Sequence, residues 1–378
     1  MARFWVGVGL VLMVLAAWGQ SDLQAPVEVT VLPTRPLIEH RGPVQRLNFD
    51  FLLRNTGSKT LHLNRIEISL YDAHDKLVWQ RSLDENGHPS GMSTIEERDV
   101  KPGSAIAVFN PFHEFGPELP LGKMIYAFYF NEPGYQTGTP LDYQSWISVP
   151  VSPEDYPGKT DLILPVQQRS IIFDGHDFYA HHRRQSPANP AFQKLGMRGN
   201  PVRYAYDFCP VNAAGAMYKD NDPYRKENWY GYGQPVLAPG SGVVVAAVND
   251  VPENEYKGKT VVYAPIPGDD IRRELGGNYV ILDHGNGEFS YFAHMRPGSV
   301  RVKKGEQVRQ GQQIGEIGFA GDAFIPHLHY MLIDQADILK AESVPSYFRN
   351  FRRVLGSRFV DVARGEVDSG DIVEPHPK

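Results

Sequence analysis

The chain has 378 residues, a formal net charge of −6 and 42% hydrophobic residues. That length suits two or three domains with packed cores, and the acidic balance excludes a globally basic nucleic-acid binder. The 36 glycines and 30 prolines, with 19 tyrosines and 19 phenylalanines, favour short strands and many turns over long helices.

The opening stretch "MARFWVGVGLVLMVLAAWGQS" has one charge, Arg3, then an apolar run from Phe4 to Trp18. Ala17 and Gly19 put small residues where signal peptidase needs them, so residues 1–19 read as a signal peptide. A membrane anchor is the alternative, but the run is shorter than the ~20 residues a spanning helix needs. The expectation is export to the periplasm or outside the cell, with no stable membrane insertion after cleavage. The single cysteine, Cys209, excludes an internal disulfide framework. Stability must then come from core area or partly from a metal.

Residues 26–150 alternate in the β manner. "VEVTVL", "RLNFDFLLRN", "HLNRIEISLYDA" and "KMIYAFYFN" are strand candidates between turn signals such as "NTGSKT" and "DENGHPSG". The best reading is an all-β sandwich of Ig-like type. His62, His74, His88 and His113 lie here without ligand-like spacing and read as surface histidines. "SVPVSPEDYPGKTDLILPV" is Pro-rich and polar, so residues 151–166 read as a linker.

Residues 167–335 change character. "GSGVVVAAVND", "NYVILDHG" and "FSYFAHM" are near-continuous apolar strands. In "SVRVKKGEQVRQGQQIGEIG", Gly305, Gly311, Gly315 and Gly318 punctuate short β segments. The pattern fits a compact β-roll with sharp corners, the alternative being another Gly-rich antiparallel barrel. The C-terminal extension, 336–378, offers a short helix in "DILKAESVPSYFRNF", strands in "SRFVDVARGEVDSGDIV" and a frayed tail, "EPHPK", with His376.

Seven of the 13 histidines lie between 176 and 329. In "PHLHY", His327 and His329 are two apart, so on a strand both imidazoles point to one face. His294 closes the strand "SYFAHM" before a Pro-Gly turn, a sheet-end position where functional residues concentrate. Asp207 in "RYAYDFCP" sits among aromatics, where an unpaired buried carboxylate is costly. A metal would compensate it; so would pairing with Arg203 or Arg198. Each of these taken singly also fits a surface or core residue.

Together, "RYAYDF", "VLAPGSGVVVAAVND", "GGNYVILDHGNGEFSYFAHM", "VRVKKGEQVRQGQQIGEIG" and "PHLHY" occur in the order and spacing of the lysostaphin/LytM-type zinc metallopeptidases. The resemblance covers about residues 170–335 and implies a β-roll of the duplicated hybrid motif type. It implies Zn2+ as cofactor, Asp207 and His329 as metal ligands, and His294 and His327 as catalytic residues. It gives His284 a structural place. One position departs. The family's first ligand falls on Arg203, four residues before Asp207, and a guanidinium has no lone pair to donate. "FDGHDFYAHHRRQ" supplies replacements upstream, with His182 preferred and His181 and His176 as alternatives. Cys209 is a further alternative, since it shares a strand face with Asp207 and thiolate binds zinc. Tyr204 or Tyr206 would assist an oxyanion or simply pack.

The implied activity is that of an exported zinc endopeptidase acting on peptidoglycan or another peptide substrate. The competing class is a metal-deficient binding or regulatory module for the cell wall or its hydrolases, for which the Arg203 substitution speaks. The sandwich would shape or block the cleft.

Overall fold

The alternation in the first third of the chain becomes two facing antiparallel sheets. One has three strands, in the order Val27–Leu32, Asp50–Asn55, Ala105–Phe109. The other runs Ser145–Val151, Met124–Asn131, Leu61–Tyr71, Leu77–Asp84, with Asp99–Val100 also pairing with Leu61–Tyr71. This is a computed structural model, and it describes residues 24–376 apart from 137, 140, 187, 198, 267 and 269. The expected signal peptide and Arg198 lie outside the described residues.

Because side chains alternate across a strand, every second residue of each sheet turns inward. Phe51, Leu53, Ile106 and Val108 from one sheet meet Ile66, Ile68, Tyr126 and Phe128 from the other in one buried core. Phe51 packs edge-on to Phe128 at 4.9 Å between ring centroids, a favoured aromatic geometry.

The second half builds one long antiparallel sheet. Its order is Gln307–Val308, Gly242–Ala247, Asn278–Asp283, Phe289–Met295, Leu328–Ile333, Tyr206–Pro210, Ser170–Ile172, Ile372–Pro375, Phe348–Leu355, Arg358–Gly365. The α-helices among the described residues are short, Pro190–Lys194 and Ile271–Gly276. The protein is therefore all-β, as its composition and alternation foretell.

The last forty residues depart from their sequence reading. No helix forms in 337–351; Phe348–Leu355 is a strand instead. Pro345 breaks a helical ladder, and Phe348 and Phe351 are both wholly buried in the second core. The described part of the tail, through His376, is not frayed either, because Ile372–Pro375 is hydrogen-bonded between two strands and His376 lies 3.0 Å from Asp361; residues 377 and 378 lie outside the described residues. The strands Arg358–Gly365 and Ile372–Pro375 both flank Phe348–Leu355 and do not pair with each other. Phe348 touches Tyr206, Phe208 and Tyr330 at 5.7, 6.0 and 5.8 Å between centroids. Phe348→Ala is expected to cost about 3–5 kcal/mol of stability, read as a lowered melting midpoint.

The stretch 151–166 is packed rather than loose. Leu162, Leu164 and Val166 enter the second core, and the backbone amides of Lys159 and Thr160 donate to buried Glu288 at 2.9 and 2.8 Å.

Candidate metal centre

Asp207 and His329 are directly opposed across the strands Tyr206–Pro210 and Leu328–Ile333. Directly opposed residues of an antiparallel pair share a face, so imidazole and carboxylate meet: His329 Nδ1 lies 3.1 Å from Asp207 Oδ1. His327, two residues earlier, shares that face and brings Nε2 to 3.2 Å from the same oxygen. The i, i+2 convergence expected of "PHLHY" is what the fold contains.

His294 reaches the site by a different device. Ala293 opposes His329 across the next ladder, so in a regular strand His294 would face the other way. Its φ of 61° places it in the left-handed region, uncommon for a non-glycine residue, and the register against Asn278–Asp283 shifts nearby. The ring ends 5.7 Å from that of His329 and 4.7 Å from that of His327, centroid to centroid. His294 Nδ1 faces the Ala320 carbonyl at 2.9 Å. That carbonyl lies beside a tight backbone crossing, since a Cβ on Gly277 would sit 2.6 Å from the Ala320 carbonyl carbon. Only glycine fits there, and Gly277 also has a φ of 62°.

Of the upstream histidines, His182 is the one that reaches Asp207. His182 Nε2 lies 3.5 Å from Asp207 Oδ1, and its ring packs edge-on to His329 at 5.0 Å. The segment carrying it is a series of turns rather than a strand. His181 consequently stays nearby but faces Asp174, with Nδ1 2.6 Å from its carboxylate. His176 is drawn away and binds Glu39 through Nε2 at 2.9 Å. Arg203 does not pair with Asp207; it is buried against Asp50 of the sandwich. Tyr204 and Tyr206 are buried core residues, and neither lines the cleft.

Cys209 is buried and belongs to no metal-capable group among the described residues. Burial, then the charge of Asp207, pushes its thiol well above the ordinary value, so it stays protonated and a poor ligand. Cys209→Ala is expected to leave bound metal unchanged in elemental analysis, at a stability cost of about 1 kcal/mol.

His284 fits the structural place: Nδ1 faces the Ser241 carbonyl and Nε2 the Ser290 hydroxyl, both at 2.8 Å. Of the sandwich histidines, His62 pairs with Asp99 at 2.6 Å. His113 is a packing residue rather than a free surface one, stacked on Phe178 at 4.3 Å.

Two groups of donors result, His182–Asp207–His329 and His294–His327–His329, each with its atoms within 4.8 Å of one another. Asp174, His181 and His182 form a third, shallower group. The electrostatics suit a cation. Burial raises the Asp207 carboxyl, but His327 and His182 outweigh that and hold it well below the usual range. Burial pushes His182 down to about 4 and His294 well below its ordinary value, so both imidazoles keep a lone pair at neutral pH. His182 Nδ1 faces the Gly175 carbonyl at 3.1 Å and His327 Nδ1 the Ile325 carbonyl at 2.8 Å. With Nδ1 donating, Nε2 of His182 is left as an acceptor toward the site, whereas burial lowers His327 but Asp207 outweighs it and raises it, so its Nε2 faces the carboxylate as a donor.

The group lies in a cleft of about 190 Å³ whose apolar walls include Phe192, Met197, Val202, Tyr291 and Ile338. Sequence reading missed Asp174 and Asp322, the latter at the cleft with Oδ1 3.7 Å from His294 Nε2. For Asp174 the signal was present in "FDGHD"; for Asp322 there was none.

Parts of the chain are similar to known proteins. Residues 230–340 match peptidase family M23. A stretch of 174 residues is 34% identical to the peptidoglycan DD-endopeptidase ShyA of Vibrio cholerae, covering 40% of this chain and 35% of that protein. Another of 98 residues is 31% identical to the cell division protein DipM of Caulobacter vibrioides, covering 26% of this chain and 12% of that one. The matches thus span about a third or less of these curated relatives. Among solved structures, the catalytic domain of the antimicrobial peptidase lysostaphin from Staphylococcus simulans aligns over 34% of this chain and 86% of its own, at 23% identity and a TM-score of 0.21. The family match begins after Asp207 and takes in His294, His327 and His329. Over residues 230–340 the chain is thus similar to peptidase family M23.

Proposed function

We propose that the protein is an exported zinc-dependent endopeptidase that hydrolyses peptide bonds in peptidoglycan. The observation that carries this reading is the convergence of His182, Asp207, His329, His294 and His327 on one cleft. The apolar opening segment and the cell-wall enzymes among the relatives support export and substrate class. No helix among the described residues is long and apolar enough to cross a membrane.

His182, Asp207 and His329 would hold the ion. Two imidazoles and a carboxylate are a catalytic zinc donor set. A tetrahedral ion at ~2.0–2.1 Å from each donor separates donors by about 3.3 Å, and the 3.5 and 3.1 Å spacings to Asp207 Oδ1 match that. Three protein ligands leave a fourth position open to the cleft. Zinc bound there supplies a Lewis acid that lowers the pKa of water toward ~7 and polarises the scissile carbonyl.

The remaining work falls to the chain. The Gly175 carbonyl fixes the tautomer of His182, as outer-shell partners of metal-binding histidines do. The Ala320 and Ile325 carbonyls orient His294 and His327 in the same way, aiming both Nε2 atoms at the reacting groups. Between them these histidines take the proton of the attacking water, hydrogen-bond the developing oxyanion and return a proton to the leaving amine. The apolar walls exclude bulk water, which strengthens every polar interaction inside.

Digestion of purified peptidoglycan by the full-length protein tests the reading. Release of cleaved peptides, abolished by a chelator and restored by zinc, is the expected result. Stoichiometric zinc without cleavage would favour the binding-module class.

A further inference from the structure

The cleft lining begins at His181, so the sandwich neither walls nor plugs it. It grips the site from behind. His329 and Asp207 are fixed by strand ladders, but His182 lies in turns, where no ladder holds the backbone. The Gly175 carbonyl orients its ring at Nδ1 and Asn200 Nδ2 donates to its carbonyl at 2.7 Å, but the turns that carry these contacts need an anchor of their own.

Asp50, wholly buried in the sandwich, accepts from Arg183 Nη1 with one oxygen and from Arg203 Nη1 with the other. Arg183 directly follows His182, and Arg203 precedes Asp207 by four residues. One carboxylate therefore ties together the two segments that carry donors. Its neighbours reinforce it: the Phe49 carbonyl accepts from Arg183 Nη2 at 2.9 Å, and Asn48 Nδ2 donates to the Arg203 carbonyl at 3.1 Å. Glu39, on the neighbouring strand Leu37–Arg41, holds His176, six residues before His182, at 2.9 Å. The residue standing in the place of a metal donor, Arg203, has become half of the tie. Buried charges of this kind hold geometry only while both partners remain, because removing one strands the other without water.

We propose that Asp50, seconded by Glu39, is a positioning residue for the metal centre, setting His182 against Asp207 through Arg183 and Arg203. The sandwich is then part of the metal site rather than an appendage to it. This rests on the reading of His182 and Asp207 as ligands.

The test uses full-length protein with Asp50→Asn, Glu39→Gln, His182→Ala and the Asp50→Asn/His182→Ala pair. Zinc affinity is measured by chelator competition, and melting without zinc verifies the fold. Folded Asp50→Asn should bind zinc about 10–100-fold more weakly, the range for outer-shell partners. In the His182→Ala background the same change should add little, since there is no imidazole left to position; a general loss of structure would weaken both backgrounds alike and would overturn the proposal. Folded Asp50→Asn with wild-type affinity, while His182→Ala loses zinc, also overturns it. Should Asp50→Asn not fold, Glu39→Gln decides: several-fold weaker zinc supports the role, and unchanged zinc contradicts it. Retention of zinc by His182→Ala is a separate failure. It overturns the ligand assignment, and the positioning role with it.

Discussion

His329→Ala is expected to yield folded protein that has lost its zinc and its hydrolytic activity together. His329 contributes to both donor groups in the cleft, and its Nδ1 is 3.1 Å from Asp207 Oδ1. Losing one of three ligands should weaken zinc by more than about 100-fold, beyond the range for outer-shell partners. The strand should survive the change. Its ladder to Asp207 is made by backbone, and His182 and His327 remain beside the carboxylate. Elemental analysis and peptidoglycan digestion of the same preparation check the outcome. Full zinc occupancy in His329→Ala would remove this histidine from the ligand set.

His294→Ala and His327→Ala should behave differently, losing turnover while keeping metal. General acid–base groups typically contribute ~10²–10⁴-fold, so kcat should fall by about that factor for each. Zinc content should stay near wild type, because Nδ1 of each ring is engaged by a backbone carbonyl and neither ring belongs to the His182–Asp207–His329 group. Loss of zinc from both variants would instead point to the His294–His327–His329 group as the ligand set. The left-handed backbone of His294 gives a second reason to expect a large effect. Strain of that kind costs about 1–3 kcal/mol and persists where surrounding structure holds it for function.

Much of this was legible before any coordinates. Asp207 and His329 lie on paired strands, where periodicity assigns the face and pairing brings the faces together; His327 directly precedes the second strand, and His294 reaches the site only through its left-handed backbone. The all-β class followed from alternation and from the glycine and proline content. What escaped depends on contacts distant in sequence. The C-terminal stretch carries helix-forming "ILKAES", yet burial of Phe348 and Phe351 against Tyr206 and Tyr330 decides for a strand. His182 is preferred over its neighbour His181 without a local pattern to decide it, because the segment is a series of turns and the two rings part toward Asp174 on one side and Asp207 on the other. Arg203 was legible only as something missing. That its guanidinium reaches Asp50, 153 residues away, could not be read from spacing.

In the proposed site His182, far upstream, completes the metal centre in place of Arg203. An anomalous difference map recorded at the zinc edge from crystals of the full-length protein tests it most directly. A single strong peak is expected about 2.0–2.2 Å from His182 Nε2, Asp207 Oδ1 and His329 Nδ1. A peak bound by His294, His327 and His329, or no peak in protein grown with zinc, would contradict it.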